Sequence, residues 1–465
     1  REGFDIVSRS GSQPDDIELT GTMGTAPVRD VVERLTDAVG MTATWSQTAT
    51  QLVLGSSRPI AVDGIDLATL LDLLLTPSGV LWQLDGEGVS VFAAHEVPER
   101  ERRELELATA RRALTAALDR FPDGGLASMS LFWLGNLAFL EQQWDAASLY
   151  YHRVLEQFPQ CLGAADAWFN EAKVRLVRGE SAAALQGFLH VTDAARGGES
   201  EPAAFLYSGR LLLEAGEPRR ALPRLLRARM LARDTDARRE ATLLLCLSYL
   251  LDDNPHGANV VLMEHRWDLD QDGAHDVAAL LASLARHRGM TDPRLRQREA
   301  PVLLAALSHV APEDFFGRYG WWVIASAYRE LGLEERARKT FEEALRQTEP
   351  VAFDRRIRYE LACQWDAAGR TETARSMLEE LAAGSDLAWS RRAQLHLGEI
   401  SLRAGDLPAA LDFARQAASN DDDPDCQIDA LKLLGRVYQR SGDHAAAAIC
   451  FAGALPDAAH GGSAE

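Results

Sequence analysis

The feature that most constrains this chain is an internal period. Alanine recurs at 110, 147, 184, 221 and 258, then at 337, 374, 410 and 447, in steps of 37 or 36 residues with one gap of 79. One helical turn after each alanine stands a residue that is mostly large and apolar: Leu114, Tyr151, Phe188, Leu225, Leu262, Phe341, Leu378, Ala414 or Phe451. Twelve residues before each alanine from Ala147 onward stands a small one: Gly135, Ala172, Gly209, Cys246, Ala325, Ala362, Gly398 or Gly435. Five residues before, glycine marks a turn at 179, 216, 332, 369, 405 and 442, with Gln142 and Asp253 taking that place in two units. Two antiparallel helices joined by a tight turn satisfy all three signals, the small residues letting the helices approach closely.

The gap of 79 holds one irregular unit, because Ser283 falls 37 residues after Cys246 and Ala325 falls 42 after Ser283. The added residues are expected in the turn Gly289 to Glu299, within an irregular unit at about 276–312. The count becomes about nine helix pairs, preceded by a lone helix around Arg103 to Arg120. One pair cannot bury its own apolar face, so the pairs are expected to stack into an α-solenoid whose long concave surface is lined by the first helices.

The unit LFWLGNLAFLEQQWDAASLYYHRVLEQFP, Leu131 to Pro159, resembles a tetratricopeptide repeat: Leu134-Gly135, Ala147, Tyr151 and Pro159 stand where that repeat has Leu-Gly, Ala, an aromatic residue and Pro. Trp322 to Leu345 is similar to the same repeat, and the likeness recurs in register over roughly 100–456. The period departs from the family's 34 residues. The resemblance implies a concave groove that binds polypeptides, with Phe132, Asn136, Phe139, Lys173, Arg210, Trp322 and Arg329 as partner-groove candidates. The competing reading places the aromatic residues among them in the core between helices.

Residues 15–96 follow another rule. Pro27 to Gly40 carries a helical stripe of Val28, Val31, Val32, Leu35 and Val39, and Met41 to Trp45 alternates like a strand. A second strand, Arg58 to Ile65, precedes a helix from Asp66, a plausible cap, to Gly79, and Val80 to Phe92 reads as two strands joined by Asp-Gly-Glu-Gly. A helix followed by a strand thus occurs twice, in a small α+β domain. Pro27-Val28, Ala38-Val39-Gly40-Met41, the leucine-rich second helix and Gly79-Val80-Leu81-Trp82 together resemble the short amino-terminal domain of outer-membrane secretins and TonB-dependent transporters. That resemblance implies a protein-docking module in the periplasm. Residues 1–14 and 457–465 are expected to be flexible, and 97–456 to form the solenoid.

Composition limits the functions available. The chain has 465 residues and a net charge of −20, which repels phosphate backbones and anionic lipid, so nucleic acid is a poor partner. Five cysteines lie far apart without a C-x-x-C spacing, so neither a zinc ribbon nor a disulfide framework is signalled. No run approaches the ~18 apolar residues of a membrane span. The chain opens on Arg1-Glu2-Gly3 without methionine, which implies removal of an upstream signal or anchor segment or an artificial boundary. No P-loop, G-x-S-x-G, H-E-x-x-H or G-x-G-x-x-G motif occurs, so no enzyme and no cofactor are expected.

One acidic turn resembles the start of a calcium loop: Asp268, Asp270 and Asp272, followed by Gly273, with Asp276 as a further ligand. The twelfth position, where such loops place a bidentate glutamate, is Ala279, so any calcium affinity is expected to be weak. The register makes the same turn a connection between repeats, comparable to Arg233–Ala237 and Ser419–Asp425. The sequence as a whole reads as a non-enzymatic scaffold or adaptor of a bacterial envelope assembly, extracytoplasmic, with protein partners. The alternatives are a self-assembling structural subunit, which makes a homo-oligomer, and a cytosolic repeat adaptor or chaperone.

Overall fold

The structure is a computed structural model that describes residues 3–10, 13–85, 88–194, 198–269, 274–315, 318–347, 351–384, 387–418 and 424–456. The chain divides into two compact units, 1–200 and 201–465.

The first unit begins with strands β1 (Gly3–Arg9) and β2 (Ile17–Pro27), helix α1 (Val28–Ala38), strand β3 (Thr42–Trp45) and helix α2 (Gln47–Leu52). Strand β4 (Ser57–Asp66), helix α3 (Leu67–Leu75) and strands β5 (Val80–Asp85) and β6 (Gly88–Ala93) complete the α+β domain. The strands form two three-stranded sheets, ordered β1-β2-β4 and β3-β6-β5, with β3 and β6 parallel and the other pairs antiparallel. Val28, Val31, Val32 and Leu35 of α1 share one core with Leu67, Leu70, Leu71 and Leu74 of α3 and with Ile17, Leu19, Val80, Val89 and Val91 of the sheets. The expected cap is present, since Asp66 Oδ1 accepts the Thr69 amide at 2.7 Å.

The segment before residue 15 departs from the expectation of flexibility, because Gly3–Arg9 pairs antiparallel with β2. Its sequence signal is weak: Ile6 and Val7 are exposed, and β2 carries glycines and a register shift between Leu19 and Gly21. Gly21 also admits β1 sterically, because a Cβ there would fall 2.2 Å from the Gly3 carbonyl oxygen.

A lone helix α4 (Glu99–Arg120) follows, then the pairs α5 (Gly125–Leu140) with α6 (Trp144–Gln157) and α7 (Ala164–Val177) with α8 (Ser181–Ala194). One buried carboxylate joins α4 to the α+β domain. Asp72 on α3 accepts Trp82 Nε1 at 2.7 Å, Thr109 Oγ1 at 3.1 Å, and Arg112 through Nε at 2.7 Å and Nη2 at 3.1 Å. The change from strands to helices falls near residue 96, and the compact unit runs on to Ser200.

The second unit pairs α9 (Glu201–Glu214) with α10 (Pro218–Leu231), and α11 (Thr235–Leu251) with α12 (Pro255–Glu264). A short turn of helix α13 (Arg266–Leu269) precedes the pair α14 (Ala274–Gly289) and α15 (Pro293–Leu307). Then come α16 (Tyr319–Glu330) with α17 (Glu334–Leu345), α18 (Asp354–Ala367) with α19 (Thr371–Ala382), α20 (Leu387–Ala404) with α21 (Leu407–Ala418), and α22 (Pro424–Ser441) with α23 (His444–Phe451). Among the described residues nine pairs therefore follow α4, in the expected register. The extra length of the irregular unit is not in the turn 289–299, because α15 already begins at Pro293. It lies in the connection after α15, where Pro312–Asp314 form a 3-10 turn and Gly320 lets the next helix pass against the Pro312 carbonyl, 2.2 Å from where a Cβ would stand.

The small position and the large position of a unit meet. A Cβ on Gly135 would fall 2.6 Å from the Tyr151 ring, one on Gly209 2.6 Å from Leu225, and one on Gly435 2.6 Å from Phe451. The inter-helix turns are left-handed at their C-terminal cap, with φ between 71° and 87° at the six glycines, and Gln142 (60°) and Asp253 (53°) adopt the same conformation.

Two outcomes follow from this packing. Gly135→Ala should lower stability by about 1–3 kcal/mol despite the better helix former, because the Tyr151 ring is held by its hydroxyl bond to Asn136 (2.7 Å), and adding Tyr151→Phe should restore part of the loss in urea unfolding. Gln142→Gly should raise stability by about 0.5–1 kcal/mol in the same assay, since a left-handed backbone costs a side-chain-bearing residue more than glycine loses in entropy.

Candidate functional site

Helix α5 is the anomaly among the first helices, because from Gly125 to Leu140 it carries no Lys, Arg, Asp or Glu. A helix that is apolar all round is normally buried on every side. Here only one stripe is: Ala127, Leu131, Leu134 and Ala138 are in the core, Leu131 and Ala138 packing with Ala147, Tyr151 and Val154 of α6. The opposite stripe, Leu126, Met129, Trp133 and Leu140, is 48–56% exposed, and its spacing of three, four and seven residues keeps it on one helix face.

Polar groups flank this stripe. Asn136 Oδ1 accepts both the Tyr151 hydroxyl (2.7 Å) and Asn170 Nδ2 of α7 (2.9 Å), so its own amide N–H groups remain as donors. Burial, with Glu171 nearby, holds the Tyr151 phenol far above its ordinary pKa, which keeps it a donor to Asn136. Lys173 of α7 places Nζ 4.8 Å from the Phe139 ring and 5.8 Å from the Phe169 ring. Burial pulls its pKa below that of an ordinary lysine, and among the described residues it has no carboxylate partner. Phe132 and Phe139 are half-buried, stacked edgewise on Trp133 and Trp144. Four of the sequence candidates, Phe132, Asn136, Phe139 and Lys173, thus converge in the first unit. The more exposed Met129, Trp133 and Leu140 escaped that reading, although the uncharged run of α5 was legible as their signal.

The three candidates of the second unit behave differently. Trp322 is buried, not a groove wall: it is 1% exposed, lies between the guanidiniums of Arg288 (5.4 Å) and Arg356 (5.3 Å), and donates from Nε1 to Glu360 at 2.7 Å. Arg329 approaches the same Glu360 at 3.4 Å. Burial opposes ionisation of Glu360, but Arg356, Arg329 and the Trp322 bond hold its carboxyl below the usual range. Arg210 pairs with Glu214 at 3.3 Å, and its carbonyl accepts the Tyr319 hydroxyl at 3.4 Å. The physical reason is that helices far apart in sequence come close here. Arg356 reaches the Leu251 carbonyl at 3.4 Å, Arg392 reaches the Gly216 carbonyl at 3.5 Å, and the Trp389 ring covers Gly216. Trp322, expected to line an open groove, instead fills this unit's interior, while Arg210 and Arg329 stay half-buried in ion pairs at its edge.

Helices α18 and α20 also bring together a cysteine, a histidine and an aspartate. Cys363 Sγ lies 4.0 Å from His396 Nδ1, and His396 Nε2 lies 3.1 Å from Asp366. The order is that of a nucleophilic triad, but burial and the nearby Glu360 push the Cys363 thiol up to about 12, the opposite of an activated thiolate. In the acidic turn, Asp270, Asp272 and the Asp268 side chain lie outside the described residues. Asp276 is exposed beside His275 at 3.5 Å. Among the described residues no group of three or more His, Cys, Asp or Glu side chains converges as a metal site, and no helix is long and apolar enough to cross a membrane.

Family models support the repeat assignment. One tetratricopeptide-repeat model matches residues 101–160 and 359–425, and another matches 319–349. No curated protein matches the sequence significantly. Among solved structures, the chain is similar to a tetratricopeptide repeat protein from Parabacteroides merdae, at 12% identity over 67% of this chain and 99% of that one, with a TM-score of 0.36. It is also similar to YrrB, described as a repeat protein with an unusual peptide-binding site, at 21% identity over 49% and 98% with a TM-score of 0.33. The repeat domain of P58(IPK) aligns at 18% identity over 70% and 92% with a TM-score of 0.24. The chain carries tetratricopeptide repeats behind a small strand-containing domain.

Proposed function

We propose that this protein is a non-enzymatic scaffold that holds an apolar segment of a partner polypeptide on the exposed face of α5. The observation that carries the reading is the uncharged helix with one stripe left in solvent, since an apolar row of that kind marks an interaction surface. The partner segment lays apolar side chains on Met129, Trp133 and Leu140. Asn136 donates to a backbone carbonyl of that segment, and Lys173 meets a carboxylate. The likeness of the α+β domain to a periplasmic docking module adds a second contact, which makes the molecule a bivalent adaptor of a bacterial envelope assembly. Its place is then extracytoplasmic.

A photo-crosslinking residue at position 133 or 140, in the full chain in envelope extracts, should join a single polypeptide species, whereas the same residue at exposed position 100 should not. The double variant Met129→Glu/Trp133→Glu replaces half-exposed side chains and gives up the edgewise contact of Trp133 with Phe132, so unfolding should shift by about 1–2 kcal/mol and the fold should persist. The crosslinked partner's affinity should fall at least about tenfold, roughly 1.4 kcal/mol. A partner that binds the double variant as tightly as the parent would remove α5 as the docking face.

A further inference from the structure

In the second unit, α20 and α22 present equivalent positions to each other, and between them lies a cavity of about 400 Å³. Glu399, Leu402 and Arg403 line it from α20, and Arg436, Gln439 and Arg440, each 37 residues later, line it from α22. Charges one period apart pair along this row. Arg436 bonds to Glu399 at 3.1 Å, and Arg403 bonds to Asp366, which stands 37 residues before it on α18. Burial works against ionisation of Asp366, yet hydrogen bonds from Arg403 and His396 hold its carboxyl below the usual range, so the Arg403 pair is a charged one.

The third guanidinium has no such answer. Arg440 Nη1 donates to the Leu402 carbonyl at 2.7 Å, and among the described residues no carboxylate pairs with it. Three guanidiniums therefore face two carboxylates, and each arginine uses one of its five N–H donors in the bonds named here. A chain of net charge −20 repels anions at long range, so a local surplus of arginine selects by geometry rather than by the general field.

We propose that this cavity binds a phosphoryl dianion, free or carried as a phosphomonoester. A carboxylate offers two oxygens and one charge, which a single guanidinium fork answers. A phosphoryl group offers three oxygens and nearly two charges, which the unused N–H donors of the three arginines lining this cavity from two helices can answer. The cavity is far larger than a phosphate ion and leaves room for the group that carries it. This site is separate from the α5 face, and its failure would leave the scaffold reading untouched.

The test is calorimetric titration of the intact chain at low ionic strength and pH 7.5 with inorganic phosphate, O-phosphoserine and succinate. Binding of either phosphate probe, at least tenfold tighter than succinate, is expected. Tighter binding of O-phosphoserine than of inorganic phosphate would assign the cavity to a phosphomonoester, and the reverse to the free ion. Arg440→Gln should weaken binding at least tenfold, while Arg100→Gln, far out in solvent, should leave it unchanged. Gln439→Glu removes no bond of the fold and adds a charge at the exposed rim, so it should weaken binding similarly even if Arg440→Gln unfolds. No binding by the parent at millimolar probe, equal affinity for succinate, or a Gln439→Glu variant that binds like the parent would overturn the proposal.

Discussion

The close contact between a small residue on each first helix and a large one sixteen positions later on the second helix is the constraint on which the helical part depends. Gly135 under the Tyr151 ring, Gly209 under Leu225 and Gly435 under Phe451 set how near two helix axes come. That spacing fixes the turn between them, which is why the residue five before the alanine must adopt a left-handed backbone. Gln142 and Asp253 do so at a steric cost, so the packing dictates the turn and not the reverse. The buried Asp72, answered by Trp82, Thr109 and Arg112, extends the same order backward by fixing α4 against the α+β domain.

Two kinds of surface arise from one repeat. In the second unit, arginine and tryptophan side chains of the first helices occupy the interior, each guanidinium satisfied by a carboxylate, a backbone carbonyl or an aromatic face. The pairs from Asp366 to Arg403 and from Glu399 to Arg436 lie nearer the surface, with both arginines more than half exposed, so water screens them and they add little to stability. In the first unit α5 has no charges to pair and leaves its outer stripe open. The same architecture therefore closes one of its faces and leaves another available.

Much of the fold was legible because the period, the glycine turns and the apolar stripes are local signals repeated many times. The helix pairs, their register and the Asp66 cap were readable from residue type and spacing, whereas the left-handed backbone at Gln142, where glycine is missing, was not. Strands β1 and β2 were not legible, because glycines and a register shift break their alternation and much of β1 faces solvent. The irregular unit was located by counting, but its extra residues were placed in the wrong connection, since proline at 293 starts a helix as readily as it marks a turn. Of the groove residues, Asn136 and Lys173 stand beside the exposed stripe, whereas Trp322 is interior. A tryptophan at a first-helix position reads the same in sequence whether solvent or Glu360 lies opposite.

What the sequence by itself determined is the unit: two helices, their register and their close approach, because these depend on residues a fixed number of positions apart. What only the tertiary structure decided is which inner positions stay open. That choice depends on contacts such as Arg392 to Gly216 and Tyr319 to Arg210, between residues separated by several periods, whose meeting is set by the accumulated rotation of many units. No local pattern encodes that sum, so the burial of Trp322 and the arginine cavity between α20 and α22 emerged only once the units were stacked.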